Sequence, residues 1–181
     1  GLIKRCFVTK DAYTLVKAFC IYVRPLLEYC TPVWSPSSIA DIMLVERVQR
    51  RFTKRLPGLH NIPYLERLHI LGLNSLQHRR LIYDLTMCYK ILPGLVDLEI
   101  THFFTLSNST ITRGHSLKLV TNHVRVNCRK HFFANRVVVA WNALPASLVE
   151  ACSLGVFKSK LKAVDLKAYM VGRDNLAEAS N

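Results

Sequence analysis

The chain has 181 residues and a formal net charge of +13, from 25 Lys+Arg against 12 Asp+Glu, and half of its residues are apolar. That apolar share supplies a core and argues against a disordered polyelectrolyte, and the length suits one compact domain, or a core plus a small appendix. The charge excess is spread along the chain, with 13 basic and 5 acidic residues in 1–80 and 12 and 7 in 81–181. A folded domain of this balance attracts polyanions, nucleic acid before an anionic membrane surface.

No apolar run reaches the roughly 18–20 residues that span a bilayer. The opening GLIKRCF carries no signal-peptide pattern. It also lacks an initiator Met, so the chain is expected to be cut from something larger. With no signal-peptide pattern, a nuclear or cytoplasmic location is expected, not secretion. Cys6, Cys20, Cys30, Cys88, Cys128 and Cys152 are irregularly spaced, several within apolar helical patterns, and this points to a reducing compartment.

Taken in order, the first predicted helix runs from Lys10 to Tyr29, with Leu15, Ala18, Phe19, Tyr22, Val23, Leu26 and Leu27 at helical spacing. Pro25 must kink or restart it, because proline removes a donor and clashes with the preceding turn. A proline-bounded turn, Thr31 to Pro36, follows, and Ser37 or Ser38 caps a second helix within Ala40–Gly58. There Ile42, Val45, Val48, Phe52 and Leu56 fall on one side, and Arg47, Arg50, Arg51, Lys54 and Arg55 on the other. A third helix fits Pro63 to Leu71, stopped at Gly72, and a fourth fits Ser75 to Leu92, capped by Asn74 and ended by Pro93-Gly94.

Residues 95–130 are rich in Thr, Ser, Asn and His, with short alternating pieces that predict a small hairpin or irregular insertion. Helix returns over His131 to Asn142, turns at Leu144-Pro145, and resumes over Ser153 to Met170, with Phe157, Leu161, Val164 and Ala168 as its stripe. Residues 171–181 read as a frayed tail. The expected organisation is therefore mainly α: a helical bundle in 1–94, a small β or irregular insertion in 95–130, and a C-terminal helical section in 131–170.

The five cations of the second helix are the strongest functional signal. Only Asp41 and Glu46 lie nearby, too few for i,i+4 pairing to neutralise them. Phosphates would supply the missing anions. Arg79 and Arg80 form a smaller cationic pair on the fourth helix. Arg129, Lys130 and Arg136 flank Phe132-Phe133, an interleaving seen where bases stack, although Phe132, Phe133 and Trp141 at helical spacing also suit a core. Lys158, Lys160, Lys162 and Lys167 read as solvating charges.

His123, Cys128 and His131 invite a zinc reading with Cys152 as a distant fourth ligand. The spacing matches no paired-ligand pattern, so no metal site is assigned. No phosphate-binding glycine loop occurs, and no Ser or Cys has a base placed around it by a local signature. Two-metal phosphoryl chemistry needs clustered acids holding cations about 4 Å apart. Here the acids stand singly, Asp97 and Glu99 being the best local pair. No catalytic residue and no cofactor is assigned.

The runs Val23-Arg24-Pro25-x-Leu27-Glu28-Tyr29, Val33-Trp34-x-Pro36 and Val45-x-x-Val48-Gln49-Arg50-Arg51-x-Thr53-Lys54 carry a family pattern. It continues through Tyr64-x-Glu66-Arg67-Leu68, Leu73-x-Ser75-Leu76-x-x-Arg79-Arg80, Asp84 and Tyr89-Lys90-Ile91-Leu92. Thr112-Arg113-Gly114-His115, Phe132-Phe133-x-x-Arg136, Trp141-Asn142-x-Leu144-Pro145 and Phe157-Lys158 complete it. Together they resemble the segment after the polymerase palm in non-LTR retrotransposon reverse transcriptases of the jockey and chicken-repeat type. The resemblance implies a thumb with a C-terminal extension, gripping template–primer backbone while the palm does chemistry. It implies RNA, DNA or RNA–DNA duplex and the absent palm as partners, with no membrane role. The family's catalytic aspartates lie upstream of this pattern, so the fragment is expected to be inactive alone. The competing expectation is a decayed or domesticated helical interaction module with no nucleic-acid role.

Overall fold

The computed structural model describes residues 8–107 and 114–170. Thr112 and Arg113 of the family pattern, Cys6 and the tail 171–181 lie outside them. The described residues are mainly helical, with ten α-helices and one isolated antiparallel bridge, Leu106 to Leu119, in place of a sheet. No helix among them is long and apolar enough to cross a membrane.

The chain divides into two compact units. One holds the described residues up to Thr31, then Pro36–Arg79 and Met170; the other holds Pro32–Ser35 and Arg80–Tyr169. The division falls inside a helix, between Arg79 and Arg80, whereas the sequence suggested Pro93-Gly94. Proline and glycine mark where a helix must stop, but a continuous helix can serve two cores when its apolar surface changes partner along its length.

In the first unit, α1 (Ala12–Ala18) starts at Asp11, whose side chain accepts from the Thr14 amide at 2.8 Å. A π-helical turn over Phe19–Val23 follows, and α2 (Arg24–Glu28) restarts with Pro25 in its first turn. The wider turn is the physical answer to Pro25: it absorbs the missing donor and the ring clash without ending the rod. After a helical turn α3 (Thr31–Trp34), of which all but Thr31 belongs to the second unit, the first unit resumes with α4 (Ile39–Lys54), α5 (Tyr64–Ile70) and the start of α6 (Leu76–Ile91). Leu15, Leu56 and Leu59 form the small apolar core, flanked by Phe52, which stacks on Phe19 with centroids 4.4 Å apart.

Both α5 and α6 end on a glycine in the left-handed region, Gly72 (φ 60°) and Gly94 (φ 72°). At each end two reversed backbone bonds close the helix: Leu73 to Leu68 with Gly72 to His69, and Leu95 to Lys90 with Gly94 to Ile91.

The second unit packs α6 from Arg80 onward with α8 (Phe133–Asn142), α9 (Ala146–Val149) and α10 (Leu154–Leu161) around Trp141, Phe157, Leu85, Val137 and Leu148. A short α7 (Asn127–Lys130) precedes α8. The last predicted helix is shorter than its period suggested. It ends at Leu161, Ala168 is exposed, and Leu166 closes the core instead. The expected hairpin also contracts to the one bridge, framed by Ser107 N to Lys118 O and Val120 N to Thr105 O, each 2.8 Å. Side chains of α8 hold this segment. Trp141 Nε1 donates to Leu117 O at 2.8 Å, and Asn142 both accepts from Leu119 N and donates to Leu119 O.

Candidate nucleic-acid interface

The basic helix α4 is launched by Ser38, whose hydroxyl accepts from the Asp41 amide at 3.1 Å and donates to the Asp41 carboxylate at 2.6 Å. Its buried face is Ile42, Glu46, Gln49 and Thr53. The sequence pattern placed Ile42, Val45, Val48, Phe52 and Leu56 inward. Ile42 and Leu56 are buried and Val45 and Phe52 half-buried, but the helix is rotated toward its polar residues, and Val48 and Leu44 lie exposed.

Partners from distant parts of the chain explain that rotation. Glu46 is fully buried and accepts from the Tyr64 hydroxyl, from the Leu76 amide at 3.1 Å and from the Gln77 amide at 3.3 Å. Those two amides belong to the first turn of α6, where no intrahelical carbonyl is in reach, so Glu46 caps α6 from another helix. Gln49 donates to the Tyr64 hydroxyl and to Asn74 O, each at 3.0 Å. Burial, then the Glu46 charge, pushes the Tyr64 phenol far above its ordinary pKa, so it stays a donor. Buried Arg67 donates to Thr53 Oγ1 at 3.2 Å and to Ile62 O at 2.6 Å.

This packing sharpens the charge on the outer face. Glu46 points into the core and Asp41 is held by Ser38. Arg47, Arg51, Lys54 and Arg55 are exposed, and Arg47, Arg51 and Lys54 pair with no carboxylate among the described residues. Arg50 is half-buried, its guanidinium 4.8 Å from the centre of the Tyr64 ring. Exposed Leu44 and Val48 add an apolar strip beside Arg51 and Arg55.

The other two predicted backbone contacts are placed differently. Arg79 holds Glu28 through a two-pronged ion pair, Nε to Oε1 and a second guanidinium nitrogen to Oε2 at 3.0 Å. Arg80 is 2% exposed, close enough to Asp84 to act on its charge. A cation row in a sequence does not reveal which members meet a carboxylate folded in from 51 residues away.

In the second unit Phe133 and Trp141 are core residues, whereas Phe132 is 46% exposed. Arg136 is committed to Asp84. No group of three or more His, Cys, Asp or Glu side chains able to hold a metal ion occurs among the described residues, so His123, Cys128 and His131 do not converge.

No protein-family model matches the chain, and no solved structure matches it. It is similar to an uncharacterized protein of Caenorhabditis elegans, 31% identical over 93 residues, which cover 50% of this chain and 47% of that one. The chain thus spans about half the length of the curated relative it matches.

Proposed function

We propose that this chain is the thumb and C-terminal extension of a non-LTR retrotransposon reverse transcriptase, gripping the backbone of an RNA–DNA or other duplex without reading sequence. The observation that carries the reading is the outer face of α4, where Arg47, Arg51, Lys54 and Arg55 stand exposed on one side of a capped helix. Rows of like charge on a helix destabilise it unless something anionic approaches. Cations without base-reading side chains suit phosphate contact, which positions a duplex and carries no sequence information.

The family pattern adds support of another kind, because many of its residues contact one another. Glu28 meets Arg79, Thr53 meets Arg67, and Asp84 meets Arg136. His115 lies edge-on to Trp141, ring centroids 5.9 Å apart. Such pairs make the scattered pattern one set of folding constraints. The palm of the parent polymerase is the proposed protein partner, and Ile21, Tyr22, Leu26 and Tyr29 leave apolar surface exposed on the first unit. That same surface favours a second reading, a helical interaction module with no nucleic-acid role.

Fluorescence anisotropy with a labelled RNA–DNA hybrid separates the two. The grip predicts sequence-tolerant binding whose logarithm falls by roughly 0.7–0.9 per released phosphate contact for each log unit of salt. Replacing Arg47, Arg51, Lys54 and Arg55 by Gln flattens that slope. Unchanged binding in the quadruple variant sinks the assignment of this face, and no binding by the parent chain near physiological salt favours the interaction module.

A further inference from the structure

A second cationic zone lies in a part of the chain that the α4 grip does not use. No Asp or Glu occurs between Glu99 and Glu150, a stretch that includes Arg125, Arg129 and Lys130. In the second unit this stretch folds around a groove of about 560 Å³, walled by the segment 121–124, by Lys130 and His131, and by α8. That volume falls within the roughly 300–1,000 Å³ typical of small-ligand sites.

The lining is chemically mixed. Lys130 is exposed and supplies an ammonium, and among the described residues no carboxylate lines the groove to compete for it. Asn122, His123 and His131 offer groups that both donate and accept. Val124 and Val139 offer apolar surface to a flat ring. Two further lining residues hold the walls. Asn135 donates to Arg129 O at 2.6 Å, and Arg136 binds the Asp84 carboxylate and also donates to His131 O at 3.0 Å. Phe132, next to His131 in the chain but not part of the groove wall, is 46% exposed.

We propose that this groove binds one nucleotide unit, its phosphate on Lys130, its base against Val124 and Val139, and its polar edges met by Asn122 and His123. A cation alone would take any anion. Apolar walls and amide and imidazole groups around it select a phosphate that carries a ring. The site shares no residue with the α4 face and does not depend on the reading given to that face. The nucleotide comes either free or as part of a single strand.

The test is an amide chemical-shift titration of the full chain with uridine monophosphate, uridine, inorganic phosphate and a single-stranded tetranucleotide. Expected are shifts at residues 121–124 and 130–131, with the monophosphate binding about tenfold tighter than nucleoside or phosphate alone. Lys130→Gln with His123→Gln, both surface changes, removes most of that affinity while the melting temperature holds. The Arg47, Arg51 and Lys54 to Gln variant leaves it intact. Tighter binding of the tetranucleotide than of the monophosphate assigns a strand, and equal binding assigns a free nucleotide. The proposal is overturned by absent shifts, by inorganic phosphate binding as tightly as the nucleotide, by full affinity in the Lys130/His123 variant, or by loss of the shifts in the α4 variant.

Discussion

Arg136 grips Asp84 with two parallel hydrogen bonds, Nε to Oδ2 at 2.8 Å and a terminal nitrogen to Oδ1 at 2.9 Å. The same guanidinium donates to His131 O at 3.0 Å and to Pro32 O at 2.9 Å, so one side chain ties α8 to α6, to the turn before α8 and to α3. Burial pushes the Asp84 carboxyl above the usual carboxylate range, against the pull of Arg136 and Arg80. Removing one partner strands a buried charge. Arg136→Met therefore costs about 3–5 kcal/mol in denaturant unfolding, and adding Asp84→Leu recovers part of the loss. Additive losses in the double variant would contradict this coupling.

Glu46 carries the junction between α4 and α6. Glu46→Ala leaves the Tyr64 hydroxyl and the Leu76 and Gln77 amides without their acceptor, at a cost of about 3 kcal/mol. Amide exchange at the start of α6 should speed up more than exchange elsewhere in the chain. A uniform change, or none, would count against the capping role.

His115 gives the stability of the second unit a pH dependence. Its Nε2 bonds Trp141 O at 3.1 Å, while its buried Nδ1 has no partner among the described residues. Burial lowers its pKa below the ordinary 6.5. The unfolded imidazole therefore takes up a proton first, so this contribution is complete above about pH 6.5 and is lost as pH falls toward the folded-state value. Melting curves between pH 8 and 5 should show the decline, and His115→Gln should remove that part of it. An unchanged pH profile in the variant would place the titration elsewhere.

Arg79 and Arg51 look alike in sequence and should behave oppositely. Arg79→Gln breaks the pair with mostly buried Glu28, costing about 1–2 kcal/mol and leaving the salt slope of duplex binding unchanged. Arg51→Gln leaves stability within about 0.5 kcal/mol and lowers the slope by roughly 0.7–0.9. Swapped results would move the interface from α4 to α6.

Much of the α4 face was legible because capping and period are local. Ser38 and the cation spacing identify the helix and its charged side from about twenty consecutive residues. The exposure of Val48, the Glu28 partner of Arg79 and the burial of Arg80 were not legible, because their environments come from other segments. The groove beside Lys130 left only a faint trace, a long stretch without acids, since its walls come from loop and helix residues that no short motif joins.

The sequence by itself determined the mainly helical class, a helix start at Ser37 or Ser38, the stops at Gly72 and Gly94, a kink or restart at Pro25 and the excess of positive charge. Each follows from backbone sterics or composition within a few residues. Tertiary structure alone decided that α4 turns Glu46, Gln49 and Thr53 inward. A polar side chain is buried only where matching donors and acceptors arrive, and here Tyr64, Arg67 and the first turn of α6 bring them from 14 to 31 residues away. That rotation is what leaves Arg47, Arg51 and Lys54 facing outward, paired with no carboxylate among the described residues.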